Sequence, residues 1–429
     1  MIVLVLGNGA REHALIWKLS QSPSVTELFA APGNAGTAIH ATNLPLVDIL
    51  NPSQVVQAAR QCRADVVFVG SEAPLEAGVV DALQAAGISA IGPDQHRAQL
   101  ESSKVFSKEF MVRNRLPTAE AREFTDYQAF EGYVTQLFER ARTPSQAHAP
   151  SGEFKLVIKK SGLAQGKGVL EASSADEALS FGKSILASDA LLVEEYLTGF
   201  EISVFVLSDG KDWVVLPPTA DFKKAGEGDT GPNTGGMGAI CPVPLVTPPL
   251  WQKVLSEVVE PTMSALTRDN LNFCGILFIG LMMTAQGPKI LEFNTRFGDP
   301  ETQALLPLIE SDFGELVQAL AQGRLAGHAW KVSDHKSLGI VIAAPGYPAS
   351  YPKNLPVAAL PSLPPATHVF HATTTRLNDQ LVTQGGRCFT AVATAPTWEA
   401  AYDKARGAAR GVQFPGAWIR TDIGEKFFI

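Results

Sequence analysis

The chain has 429 residues, 45% of them hydrophobic and 18% charged, with a net charge of −8. That length favours two or three domains, and the composition is that of a folded soluble chain and excludes a disordered one. No apolar run approaches a membrane span, and no Lys/Arg-rich run supplies the basic face that nucleic acid requires. Neither a membrane nor a nucleic acid is therefore expected as a partner. Cys62, Cys241, Cys274 and Cys388 form no CxxC pair, so a reducing, cytoplasmic setting is expected.

The first apolar run, residues 2–6, is too short for a signal segment and has no basic flank; it reads as a strand. Residues 26–31, 64–69 and 88–91 read as further strands, with helical patterns at 11–19, 52–60 and 75–86 between them. Such alternation predicts a parallel, doubly wound sheet, with ligands beyond the carboxyl ends of its strands. A helical pattern follows over 94–114. Residues 142–152, rich in Pro, Ser and Ala, read as an exposed loop. Strands are then expected at 155–160, 191–197, 202–208 and 213–217, with a helix at 174–186. They cluster more than they alternate, which predicts an α+β unit with antiparallel pairs. A last mixed segment has strands near 338–343 and 388–394 and a helix near 398–410.

Five motifs carry chemistry. Gly7-Asn8-Gly9-Ala10-Arg11-Glu12-His13 follows the first strand; alone it leaves open a tight turn, a phosphate site or a dinucleotide site. The dinucleotide reading lacks its acidic partner, because the end of the second strand reads Phe29-Ala30-Ala31-Pro32. Lys159-Lys160-Ser161-Gly162-Leu163-Ala164-Gln165-Gly166-Lys167-Gly168 joins glycines to lysines, as a loop closing over triphosphate would. Glu194 and Glu195 end a strand. Gly231-Pro232-Asn233-Thr234-Gly235-Gly236-Met237-Gly238 lets backbone approach a small ligand. In Leu291-Glu292-Phe293-Asn294-Thr295-Arg296-Phe297-Gly298-Asp299-Pro300-Glu301, Glu292 and Asn294 share one strand face and offer the hard oxygens that Mg²⁺ prefers.

Together, residues 7–13, 31–37, 72–75, 162–169, 231–238 and 296–301 make the chain resemble the glycinamide ribonucleotide synthetase family of the ATP-grasp superfamily. The resemblance continues to Gly385-Gly386-Arg387 and Asp422-Ile423-Gly424. It implies a multidomain α/β and α+β architecture: an N-terminal domain at 1–103, an ATP-grasp region at 104–332 with a lid at about 124–195, and a C-terminal domain at 333–429. It implies a monomer or weak dimer using ATP, Mg²⁺ or Mn²⁺, glycine and 5-phosphoribosylamine, with glycyl phosphate as intermediate. Carried over by position, Glu292 and Asn294 would hold metal. Lys104, Lys159, Gly162, Gly166, Lys167 and Gly168 would meet ATP phosphates, and Glu194, Glu195, Leu197 and Glu201 the adenosine. Asp221, Lys223, Arg296 and Asp299 would serve catalysis, and Gly235 and Gly236 would border glycine. Gly9, Arg11, Glu12, Gly33 and Asn34 would face phosphoribosylamine. The chain departs from the family at Phe222 and Lys224, where His and Arg are usual, at Thr373 (usually Gly), at Gln165, and in an insertion at 143–152. Other ATP-grasp ligases, a carboxylase component among them, remain the alternative.

Overall fold

The N-terminal apolar runs pair as parallel strands. In the computed structural model, which describes residues 1–141, 154–163, 168–328 and 330–428, Thr42–Asn43, Glu27–Pro32, Ile2–Gly7, Val66–Val69 and Ser89–Ile91 lie side by side in that order. Val3 and Val5 pack into one core and Leu4 and Leu6 into another; this two-sided burial is why the strand reads as unbroken apolar sequence. The helix expected over 75–86 is two pieces, Glu72–Glu76 and Val79–Ala85, parted at Gly78, whose φ of 76° lies in the left-handed region.

The helix expected over 94–114 also breaks. Ser103 takes an extended conformation and its Oγ caps Phe106 N, starting a new helix, Lys104–Arg113. Lys104 N is held by Ser161 O at 3.0 Å. The break thus sets Lys104 at a helix start facing the segment that follows Lys159 and Lys160.

Strands Ala121–Phe124, Leu191–Glu195, Leu156–Lys160 and Val169–Ala172 form an antiparallel sheet in that order. Helices Tyr127–Ala141 and Ala175–Leu186 cover it, and Phe130, Val134, Ile158, Ile185 and Leu191 make a separate core. The sequence reading does not contain the strand Ala121–Phe124 or the helix Tyr127–Ala141, and the loop expected over 142–152 lies outside the described residues.

A second antiparallel sheet runs Trp213–Val215, Phe200–Asp209, Cys274–Thr284, Gly287–Asn294. A third joins Gly238–Cys241, at the end of the glycine-rich loop, to Lys336–Ala343, Arg387–Ala395 and Thr367–His371. Central and C-terminal segments therefore share one sheet and one core, with Val204, Ile240, Ile340 and Phe389 in the same cluster. Among the described residues no helix is long and apolar enough to cross a membrane.

The N-terminal sheet is fastened to the C-terminal segment by histidines. His371 N donates to His13 Nδ1 at 2.9 Å, the two rings lie 5.5 Å apart, and His13 is 6.0 Å from His40. Trp17 packs on His368 at 4.3 Å. Burial lowers the pKa of His371, and that of His368, to about 4, so both are neutral in the folded chain. The unfolded imidazole titrates at about 6.5. On acidification the unfolded chain binds the proton first, so this contribution is complete above about pH 6.5 and is lost towards pH 4. His371→Gln should therefore lose roughly 2 kcal/mol less stability than the parent between about pH 7 and pH 5. Denaturation at the two pH values checks this; equal losses in both proteins would contradict it.

Candidate functional site

Glu292 and Asn294 stand on Gly287–Asn294 opposite Gly280 and Phe278 of the neighbouring strand. Two residues apart, their side chains share a face, and both line a cleft whose adjoining hollows measure about 220 and about 690 Å³. The hollows share Lys159, Glu194, Asp221, Lys223 and Glu292 in their walls. Gly280 makes room for Glu292: a Cβ there would stand 3.3 Å from Glu292 Cγ.

The smaller hollow is cationic on one side. Lys159 Nζ pairs with Glu194 at 2.8 Å and donates to Leu291 O at 3.0 Å. Lys108 Nζ pairs with the other Glu194 oxygen, also at 2.8 Å. Glu194 is thus a buried bridge between two lysines. Burial works against its charge, but Lys159 and Lys108 outweigh it and hold the carboxyl below its usual range. Lys104 reaches the carbonyl of Gly162 at 3.4 Å; burial pulls its ammonium down, with Glu292 opposing. Gly168 lies in this wall, whereas Gly166 and Lys167 fall outside the described residues. Glu195, Leu197 and Glu201 line the larger hollow, and Glu195 pairs with Lys289 at 3.0 Å.

On the other side, Lys223 Nζ lies 2.9 Å from Asp221 and 2.7 Å from Glu201. Burial opposes the ammonium charge, but Asp221, Glu201 and Glu292 raise its pKa well above the usual value. The guanidinium of Arg296 pairs with Glu101 at 2.7 Å and Glu72 at 3.4 Å, and it donates to Asn294 Oδ1 at 3.3 Å. Burial raises Glu101, while Arg296 and then Arg11 overcome burial at Glu72 and hold it near 2. Asp299 accepts from Gln303 at 2.8 Å and pairs with Arg387 at 3.3 Å. Arg387 also donates to the carbonyls of Asp299, Gly235 and Gly236, which ties the glycine-rich loop to the turn that follows Asn294.

The N-terminal turn is closed by the chain's own side chains. Residues 7–13 do not leave an open phosphate cradle, because the chain's own carboxylate fills it. Glu12 accepts from Gly9 N at 2.7 Å and from Arg11 Nε at 2.6 Å, and a Cβ on Gly7 or Gly70 would meet its side chain at 2.6 or 2.5 Å. Arg11 donates to Phe297 O at 2.9 Å, and Gly9 faces Asp299. Asn34, beside Gly33, is likewise committed: its amide nitrogen donates to Asn8 O, His371 O and Ala372 O, and its oxygen accepts from Gly36 N and Thr37 N. These residues fasten the N-terminal turn to the Arg296–Asp299 segment and to the C-terminal segment. Gly33, Gly162 and Gly236 are not in the cleft walls; Gly235 is.

Sequence reading missed Lys108, Glu101 and the part played by Arg387. Arg387, Glu72 and Glu301 sit inside recognised motifs, but nothing in the motif order reveals their partners. Among the described residues no three His, Cys, Asp or Glu gather as a metal site. The donor set instead fits Mg²⁺: one carboxylate and one amide oxygen, leaving positions for phosphate and water.

Comparisons agree along the whole chain. Family models described as the N domain, the ATP-grasp (A) domain and the C domain of phosphoribosylglycinamide synthetase match residues 1–101, 102–302 and 337–426. The phosphoribosylamine–glycine ligase of Rhizobium meliloti is 43% identical, over 99% of this chain and 98% of that protein. The trifunctional purine biosynthetic protein adenosine-3 of Homo sapiens is 39% identical over 98% of this chain and 41% of its own length. The phosphoribosylamine–glycine ligase structure from Thermotoga maritima superposes with a TM-score of 0.82 at 29% identity, covering 99% of this chain and 100% of that one. The biotin carboxylase domain of Hydrogenobacter thermophilus 2-oxoglutarate carboxylase has the same fold, with a TM-score of 0.73 at 17% identity over 97% of this chain and 91% of that one.

Gly280→Ala should displace Glu292 without disturbing the sheet. Turnover is expected to fall about tenfold, roughly 1.4 kcal/mol in the barrier, while the melting temperature changes by only a few degrees. Steady-state kinetics beside thermal denaturation checks this, and unchanged turnover would show that Glu292 has slack.

Proposed function

We infer the reaction from one premise: the chain belongs to the phosphoribosylglycinamide synthetase family, through models that together span most of its length. It is an ATP-grasp ligase that forms a carbon–nitrogen bond in purine biosynthesis, joining glycine to 5-phosphoribosylamine to give glycinamide ribonucleotide, ADP and phosphate. We place it in the cytoplasm, as a monomer or weak dimer. The observation that carries the residue assignment is the meeting, at one cleft, of Glu292 and Asn294, the lysines around Glu194, and the Asp221, Lys223, Arg296 and Asp299 group.

The chemistry follows from the poor reactivity of a carboxylate towards amines. Transfer of the γ-phosphoryl group to glycine makes glycyl phosphate, in which phosphate is a competent leaving group. Adenosine lies in the larger hollow, along Glu195, Leu197 and Glu201. Lys104 and Lys159 neutralise the triphosphate; Glu194 sets the direction of Lys159, and Lys108 balances the buried carboxylate. Glu292 and Asn294 would hold Mg²⁺ or Mn²⁺, which when bound neutralises charge on the transferring phosphoryl group. Arg296 fixes the amide of Asn294 and presents positive charge to the acyl phosphate. Lys223, kept charged by Asp221 and Glu201, faces the same region. Asp299, next to Gly9 and Arg11, orients the amine of phosphoribosylamine.

Glycine carrying ¹⁸O in its carboxylate should pass one label into the released phosphate in each turnover, with ADP release dependent on glycine. Mass analysis of the phosphate reads the outcome. Unlabelled phosphate from a turning-over enzyme would eliminate the acyl-phosphate route.

A further inference from the structure

Carboxylates crowd the two hollows, and nearly all of them are paired. Glu72 and Glu101 share Arg296, Glu194 takes Lys108 and Lys159, Asp221 and Glu201 share Lys223, and Asp299 takes Arg387. Glu195, Glu171 and Asp229 pair with Lys289, Lys224 and Lys426. Among the described residues, Glu292 and Glu301 alone line the cleft without a cation in ion-pair contact. Glu292 belongs to the metal strand, which leaves Glu301 without a role.

Glu301 begins the short helix Glu301–Leu305, directly behind Asp299 and Pro300, and it is only 5% exposed. One carboxyl oxygen accepts from Ser203 Oγ at 3.3 Å. The other lies beneath Gly298, where a Cβ would come within 2.6 Å of it. Gly298 thus lets the cleft floor pass close over the carboxyl. The charges that act on it are Asp221 and Lys223 from one segment, Arg296 from the turn and Arg387 from the C-terminal segment. Burial, then Asp221, pushes Glu301 up to about 7, the range in which a carboxyl both takes and gives up a proton at neutral pH.

We propose that Glu301 is the proton acceptor for the amine that attacks the acyl phosphate, a further catalytic residue for this reaction; it rests on the acyl-phosphate reading above. As the amine nitrogen bonds to the acyl carbon, the bond from that carbon to the phosphate oxygen breaks, phosphate leaves with its electron pair, and the nitrogen's surplus proton passes to the Glu301 carboxylate. The proton then goes to the departing phosphate or to water. The first step, phosphoryl transfer to the glycine carboxylate, moves no proton and needs no such group.

The two steps are separable in one set of assays. Exchange of ¹⁸O between the bridging and non-bridging positions of ATP, with glycine present and phosphoribosylamine absent, reads the first step. Ligation of phosphoribosylamine reads both, and hydroxamate formation with hydroxylamine, a strong nucleophile with little need of a base, reads capture without assistance. Glu301→Gln should ligate about a hundredfold more slowly or worse, while exchange and hydroxamate formation stay within about tenfold of the parent. Glu301→Asp, which keeps a carboxyl, should ligate faster than Glu301→Gln and serves as the second variant if the amide unsettles the fold. Wild-type ligation by Glu301→Gln would overturn the proposal. So would a parallel fall in all three assays, which marks a binding or packing role. Unlabelled phosphate from carboxylate-labelled glycine in the parent enzyme would instead remove the acyl phosphate, and the proposal with it.

Discussion

The guanidinium of Arg296 is the interaction on which the site depends. Its side chain is only 16% exposed, and a charge so far withdrawn from water is costly without partners. Its partners come from separate parts of the chain: Glu72 and Glu101 from the N-terminal domain, and Asn294 from the strand Gly287–Asn294. A planar fork can serve several oxygens at fixed angles, which an ammonium cannot. Closing this network therefore sets the N-terminal domain against the end of the strand that carries Glu292 and Asn294. Arg387 repeats the device one step further on, joining the C-terminal segment to Asp299 and to the glycine-rich loop.

The same economy explains how an acidic protein accommodates a triphosphate. Lysines meant for phosphate would repel one another in an empty cleft. Glu194 between Lys108 and Lys159, and the Asp221–Lys223–Glu201 group, hold them in place at low electrostatic cost. The pairs around Glu194 are buried, so salt screens them weakly, and both lysines keep their direction before any ligand arrives. Preorganisation of this kind is what phosphoryl transfer chiefly asks of a protein.

Much of this was legible in the sequence wherever a local rule sufficed. The two-residue period of a strand placed Glu292 beside Asn294. Asp221 and Lys223 line the cleft while Phe222 lies buried 5.9 Å from the ring of Phe427 with Lys426 over its face, but Lys224 lines the larger hollow as well, so strict alternation does not run through this segment. Order and spacing of the glycine motifs were enough for the family and its fold. What stayed hidden was set by contacts remote in sequence. Lys108 looks like any polar position on a helix until Glu194 is brought to it. The break at Ser103 follows from the hydrogen bond of Lys104 N to Ser161 O, and a helical pattern contains no sign of that bond. The N-terminal turn, of a kind that can bind anions, holds the chain's own Glu12, a contact that the glycine spacing alone does not reveal.

The central claim is that the fork of Arg296, beyond its charge, aligns the strand carrying Glu292 and Asn294 with the domains around it. Arg296→Lys tests this most directly, through turnover measured together with Mn²⁺ binding in the presence of ADP. The account predicts a fall in turnover of about a hundredfold, roughly 2.7 kcal/mol, and weaker Mn²⁺ binding, because Asn294 loses the donor that orients it. Turnover and metal affinity equal to the parent's would contradict it.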